Sequence, residues 1–332
     1  MALVLAILIA LSCGAQLLLL GSSTPSMELA STFCSVTVYF FDVGQGDSIL
    51  INVDDKNILI DGGSKSAGAT LLGYLDGVNV THIDVMVATH PHEDHIGGLI
   101  TVMQSTITID LILYNGQNYT SKAFEDFMSL GQEHNLTVTD RSQVYLVTAT
   151  TNFTILNPVQ PLEFADTNAN ANSIVIKLQV SNVSFLFSGD ATAETEQSMI
   201  NAGLNLQSDV LKVAHHGSNT STTQAFLDAV NPTYAVISAG LGNPYGHPHE
   251  EVVQRLLDKG IIVYGTYASG TIVFVTDGNT VTVQGNPEPI PEFHSTILLP
   301  VLLLTTLTAM FLLKKKNDPN EILHLTALIF LF

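Results

Sequence analysis

The stretch Thr89-His90-Pro91-His92-Glu93-Asp94-His95-Ile96-Gly97-Gly98 follows directly on the apolar run Ile83-Asp84-Val85-Met86-Val87-Ala88. Charged residues make up only 12% of the chain, so this crowding of titratable groups is not average composition. In extended backbone, side chains two positions apart face the same way. His90 and His92 can therefore converge on one ion, while Asp94 and His95 point from the next turn toward a second position. Neutral imidazole suits zinc, manganese or iron, and carboxylate is tolerated by all three. A fold containing this segment must end a buried strand at the cluster and open a helix at the glycines.

The chain has 332 residues, 46% of them hydrophobic, enough for one large domain or two small ones with a proper core. Its net charge is −19, and three of its eleven basic residues are Lys314, Lys315 and Lys316. Such a surface repels nucleic acid unless metal ions or a local patch reverse the field. Nucleic acid is thus a possible but disfavoured partner, and no protein partner can be inferred. The two cysteines, Cys13 and Cys34, exclude a disulfide framework and a cysteine metal site.

Both ends suggest a membrane. Residues 1–25 read as a signal peptide or a retained signal anchor. Residues 296–313 are uncharged and run into the three lysines, the pattern of a short spanning helix with a cytoplasmic tail at 314–332. A proline-rich linker at 286–295 would join that helix to a domain at 35–285. Sequons at Asn79, Asn118, Asn135, Asn152, Asn182 and Asn219 fit a glycoprotein whose catalytic domain is extracellular or lumenal.

Within the body, β-branched and aromatic runs predict strands at 36–41, 49–53, 58–60, 83–89, 110–114, 144–148, 153–156, 174–180, 183–187, 210–213, 234–237, 261–264 and 271–275. Helical spacing appears at 68–75, 96–103, 122–132, 193–202, 223–230 and 250–259. Strands, a ligand-rich loop and helices recur in the same order twice, consistent with two β-layers between helices.

Further acids and imidazoles also stand at strand ends. Asp190 closes Phe185-Leu186-Phe187-Ser188-Gly189 and reads either as the N-cap of the next helix or as a carboxylate shared by two ions. Lys212-Val213-Ala214-His215-His216-Gly217-Ser218 offers His215 as the preferred ligand, with His216 supporting the ligands from behind. His247, after a glycine-rich turn, is placed to hydrogen-bond a substrate oxygen or protonate a leaving group, or is a turn histidine without a task. His249 reads as a helix start, and Gly44-Gln45-Gly46-Asp47 as a tight turn bordering a pocket.

THPHEDHIGG, Ser188-Gly189-Asp190-Ala191 and KVAHHGS together resemble the metallo-β-lactamase superfamily. Phe41-Asp42-Val43-Gly44-Gln45-Gly46-Asp47-Ser48, Leu59-Ile60-Asp61-Gly62-Gly63 and Tyr245-Gly246-His247-Pro248-His249 narrow the resemblance to the hydrolase domain of competence proteins of ComEC type. The resemblance runs from about residue 37 to 276 and implies an α/β fold, a four-layer αββα sandwich with its site at one edge. It implies two divalent metal ions, Zn or Mn. His90 and His92 would hold one, Asp94 and His95 the other, with Asp190 bridging, His215 completing the second, and Asp61 buttressing the loop by hydrogen bonds. Most of the superfamily has a further histidine between the HxHxDH motif and the bridging acid. Here that interval holds only His134, and the corresponding loop reads Asn170-Ala171-Asn172-Ser173.

Two such ions can share a water and lower its pKa toward neutrality, with Asp94 receiving the proton. The expected activity is that of a metal-dependent hydrolase, a phosphodiesterase or nuclease. The alternatives are a hydrolase of a lactone, β-lactam or phosphorylcholine ester, and a membrane-tethered binding protein with a degenerate site.

Overall fold

The computed structural model describes residues 35–164 and 167–291. The apolar segments at 1–25 and 296–313 and the tail at 314–332 lie outside the described residues. Among those described, no helix is long and apolar enough to cross a membrane.

Strands β1 (Val36–Phe40), β2 (Ile49–Val53), β3 (Lys56–Ile60), β4 (His82–Ala88), β5 (Thr108–Tyr114) and β6 (Asn135–Val138) belong to the first sheet. Strands β7 (Val144–Leu146), β8 (Thr151–Asn157), β9 (Val175–Val180), β10 (Val183–Phe187), β11 (Val210–Lys212), β12 (Tyr234–Ile237) and β13 (Ile262–Gly265) form the second. The chain then returns to the first sheet through β14 (Ile272–Thr276) and β15 (Val281–Val283). The strand orders are β15-β14-β1-β2-β3-β4-β5-β6 and β13-β12-β11-β10-β9-β8-β7.

Each sheet has a parallel half, β3 to β6 in one and β10 to β13 in the other. Parallel neighbours require crossover connections, and the helices supply them. Helices α1 (Gly68–Gly77), α2 (Glu93–Met103) and α3 (Lys122–Gly131) link the first half; α4 (Ala193–Asn201), α5 (Gln224–Val230) and α6 (Glu250–Asp258) link the second. Side-chain hydroxyls fix two of the starts. Ser121 accepts from Phe124 N at the head of α3, and Thr223 from Phe226 N at the head of α5.

The period-2 alternation of the strands divides their side chains between layers. Val36, Val38 and Phe40 of β1 face inward and meet Phe153, Phe185 and Phe187 of the second sheet. Phe40 and Phe187 have ring centroids 6.1 Å apart, and Phe185 meets Phe274 edge-on at 6.2 Å. A second cluster joins Leu59, Met86 and Ile112 to Leu71, Leu99 and Phe127 of the first helix layer. A third joins Leu186, Leu211 and Ile237 to Met199, Phe226 and Leu256 of the other. Three apolar layers between four structural ones make the αββα sandwich.

Two strands, β6 and β15, occur where the sequence predicts none. Both are short edge strands, and Asn-Leu-Thr-Val of β6 has no apolar run to announce it. Helix α2 begins at Glu93, not at the Ile96 that the apolar periodicity marks, so Glu93, Asp94 and His95 of the cluster sit in its first turn.

Candidate metal centre

In parallel α/β layers, functional groups collect beyond the carboxyl ends of the strands. Here Asp61 follows β3, His90 and His92 follow β4, Asp190 follows β10, and His215 and His216 follow β11. His92 is the N-cap residue of α2, which places Asp94 and His95 on the first helical turn. Gly46, at φ +125°, lets the β1–β2 turn lie against this loop; a Cβ there would stand 2.1 Å from Asp94 O. Gly98 similarly packs on Gly62, where a Cβ would meet the carbonyl oxygen at 1.9 Å.

These segments bring the predicted ligands together. His90 Nε2 is 3.0 Å from His92 Nδ1 and 3.8 Å from Asp190 Oδ2. His95 Nε2 lies 3.4 Å from the same Asp190 oxygen, and His215 Nε2 3.8 Å from it. His216, expected behind the ligands, instead points Nε2 into their midst. It is 3.3 Å from His95 Nε2 and 3.5 Å from both Asp94 Oδ2 and Asp190 Oδ2. His215 and His216 both carry positive φ, 51° and 56°. For β-carbon-bearing residues that conformation costs about 1–2 kcal/mol each, strain of the kind that collects at functional sites.

Supporting hydrogen bonds set the imidazole protons. Asp61 accepts from Thr89 N at 2.8 Å and Thr89 Oγ1 at 2.7 Å, and its Oδ2 lies 2.7 Å from His95 Nδ1. His216 Nδ1 is 2.9 Å from Ser238 O, which can only accept. Both histidines thus carry their proton on Nδ1 when neutral, leaving two Nε2 lone pairs facing each other at 3.3 Å. That contact calls for a cation.

Burial works against charge on all five histidines, but the carboxylates divide them into two groups. Burial, with the neighbouring His95, holds His90 and His92 below the ordinary imidazole range, and burial does the same to His215. These are neutral donors. Around His95 and His216 burial is outweighed by Asp190, with Asp61 at the first and Asp47 and Asp94 at the second, so both are held well above that range. Asp190 and Asp94 lie well below the usual carboxylate range because His216 and His95 outweigh their burial. Asp190 Oδ1 is buried without a hydrogen-bond partner. The lone pairs, the anionic carboxylates and this open oxygen fit divalent cations.

The cluster floors a cavity of about 410 Å³ whose lining includes Gln45, Glu93, Tyr119, Asn170, Tyr245 and His247. Asn170 sits in the loop where most of the superfamily has its additional histidine, its Nδ2 3.1 Å from His215 Nε2. The ring of His247 stands 5.5 Å from that of His215. Burial, with His215 and His216 beside it, pushes its pKa down to about 4. Asn243 fixes His247 by accepting from its N at 3.1 Å and donating to its O. His249 is the N-cap residue of α6, as its position in the sequence suggests. Sequence reasoning gave Asp47 only a place in a turn bordering a pocket and Lys212 only a strand end; the two are buried as an ion pair against the cluster. It left out Tyr119, whose ring lies 5.4 Å from His92.

Known proteins resemble this chain in sequence over most of its described residues. The chain is 30% identical over 257 residues to ComE operon protein 3 of Bacillus subtilis, covering 71% of this chain and 32% of the relative. It is 34% identical over 242 residues to competence protein ComA of Neisseria gonorrhoeae, covering 72% and 32%. The match thus spans about a third of the length of these relatives. Among solved structures, the metallo-beta-lactamase fold protein YhfI from Bacillus subtilis superimposes with a TM-score of 0.49 at 16% identity, covering 73% of this chain and 100% of that one. The Metallo-beta-lactamase superfamily profile matches residues 41–240, from the turn that holds Asp47 to the loop behind β12. With every ligand-bearing loop inside that span, the chain belongs to the metallo-beta-lactamase superfamily.

Proposed function

We propose that the chain hydrolyses a phosphodiester, using two divalent cations, Zn or Mn. The observation that carries this reading is the convergence of imidazole nitrogens and carboxylate oxygens from three separate loops, four of the imidazoles turning Nε2 toward one oxygen, Asp190 Oδ2. His90, His92 and Asp190 would hold one cation; Asp94, His95, Asp190 and His216 the other. His215 approaches Asp190 from the cavity side and is the remaining donor for the first position. Divalent cations so held supply Lewis-acid polarisation of a substrate oxygen and a lowered water pKa.

The protein's own groups do the rest. Asp61 and Ser238 O hold the imidazoles in the tautomer that presents Nε2. Asp94 is the more exposed of the two carboxylates, with 29% of its side chain accessible against 3% for Asp190. It is the one that reaches the cavity wall, where it can accept a hydrogen bond from water or substrate. His247, largely neutral at pH 7, serves there as a hydrogen-bond donor to a phosphoryl oxygen, better than as an acid.

One relative is named competence protein ComA, and a third, 33% identical over 236 residues, is Recombination protein 2 of Haemophilus influenzae. Those names favour a phosphodiester of nucleic-acid type. Against a long duplex stand the charge of −19 and a cavity lining without lysine or arginine. The second feature equally suits a neutral lactone or carboxylic ester, the alternative reading. Metal analysis of the purified chain, combined with rates on bis-nitrophenyl phosphate, DNA and a lactone, tests both. Turnover confined to the lactone overturns the phosphodiesterase reading; absence of turnover with saturating Zn²⁺ or Mn²⁺ overturns both. Attachment to a membrane with the catalytic domain on its outer or lumenal face rests on the terminal apolar segments and the sequons.

A further inference from the structure

Asp47 and Lys212 have no part in the chemistry above, yet both are buried against it. Lys212 is the last residue of β11, is fully inaccessible, and ion-pairs with Asp47. Its Nζ donates to Gly189 O at 2.9 Å and lies 4.0 Å from Asp190 Oδ1. Asp47, 1% exposed, comes from the turn between β1 and β2. Its Oδ1 is 3.3 Å from His216 Nδ1, and its Oδ2 is 4.0 Å from His95 Nδ1. The pair therefore touches, from the side away from the cavity, the shared carboxylate and both histidines whose Nε2 atoms face each other.

A buried ion pair is a poor device for stability, because desolvation offsets much of the attraction and well-packed apolar residues serve as well. The placement of this one gives it a different consequence. The two charges act on the same centre with opposite signs, in surroundings where little water screens them. A carboxylate behind a ligating imidazole raises its basicity, so Asp47 strengthens His216 and His95 as donors. An ammonium beside Asp190 draws on the carboxylate that two cations would share, so Lys212 weakens it.

Resting on the metal-centre reading, we infer that Asp47 and Lys212 form an electrostatic counterweight that sets how tightly the centre holds its cations. Asp47 favours binding and Lys212 opposes it. Both are positioning residues; neither reaches the cavity that substrate would enter.

The test uses the full chain and its Asp47→Asn, Lys212→Met and Asp47→Asn/Lys212→Met variants, none of which changes side-chain size greatly. Zn²⁺ affinity is measured by competition with a chromophoric chelator, and thermal unfolding of the metal-free chains checks the fold. Asp47→Asn should weaken Zn²⁺ binding about 10–100-fold, the usual effect of losing an outer partner. Lys212→Met should tighten it, and the double variant should return to within about threefold of the parent, since the two opposing charges leave together. A purely structural role predicts instead that both single variants weaken binding and the double does no better; that pattern overturns the inference. Should Lys212→Met fail to fold, the double variant against Asp47→Asn decides, because removing the lysine must restore affinity. A parent chain that takes up no Zn²⁺ or Mn²⁺ would sink the metal centre itself, a result distinct from a parent that binds while both single variants weaken.

Discussion

Replacing Asp61 by Asn alters one charge and almost no volume, and its effect can be followed atom by atom. The carboxylate accepts from Thr89 N at 2.8 Å and Thr89 Oγ1 at 2.7 Å, and faces His95 Nδ1 at 2.7 Å. An asparagine can keep the first contact through Oδ1. It then turns an NH₂ group toward His95 Nδ1, where two donors would collide. The imidazole can answer by shifting its proton to Nε2, the atom 3.4 Å from Asp190 Oδ2. That protonates the ligand position, so cation affinity should fall about 10–100-fold, or about 1.4–2.7 kcal/mol. The metal-free chain should also lose about 1.5–3 kcal/mol, the worth of a hydrogen bond to a charged group. Chelator competition measures the first quantity and urea unfolding the second. Nitrogen-15 NMR of the histidine side chains reports which nitrogen carries the proton. Asp61→Asn with affinity within about threefold of the parent, and His95 still protonated on Nδ1, would refute the tautomer argument.

Other outcomes follow from the same geometry. His216→Ala should lower the bound metal from two ions to one by elemental analysis; if His215→Ala does this and His216→Ala does not, the choice made from the KVAHHGS motif was the right one. His247→Ala should reduce kcat about 100-fold with metal content unchanged, and a loss of metal instead would place His247 among the ligands. Glu196 is fully buried in α4, and its pKa is pushed from 4.5 up to about 7 mainly by burial, against the Thr222 and Thr223 N–H groups it accepts from. Because the folded value is the higher one, the folded chain binds the extra proton. This contribution is full below about pH 4.5 and is lost as pH rises through about 7, by up to about 3 kcal/mol. Urea midpoints of the parent and Glu196→Gln at pH 5 and pH 7.5 check the sign, and the variant should show the weaker dependence.

The cluster of ligand-type side chains was legible where local chemistry is unusual. THPHEDHIGG, the SGDA turn and KVAHHGS each end a buried strand with groups that are costly to bury without a cation or a proton, so their residue types and spacing alone announce a centre. The αββα layering was legible too, because period-2 runs and helical spacing recur in the same order. Less visible were β6 and β15, edge strands whose pairing comes from their neighbours and not from their own apolar content. The start of α2 at Glu93 was hidden because polar ligands occupy the turn where periodicity is read.

The choice between His215 and His216 lay beyond the sequence. They are adjacent and chemically identical, and only the left-handed backbone at both residues, with Ser238 O holding one ring from behind, turns His216 toward His95. Asp47 and Lys212 read as a turn residue and a strand residue, and 165 positions of chain separate them. The sequence by itself determined which groups could bind cations and which strands would carry them, because those are properties of short segments. Tertiary structure decided which nitrogen faces which oxygen and which two charges share a buried space, because those distances are set by the packing of two sheets whose strands are far apart in the chain.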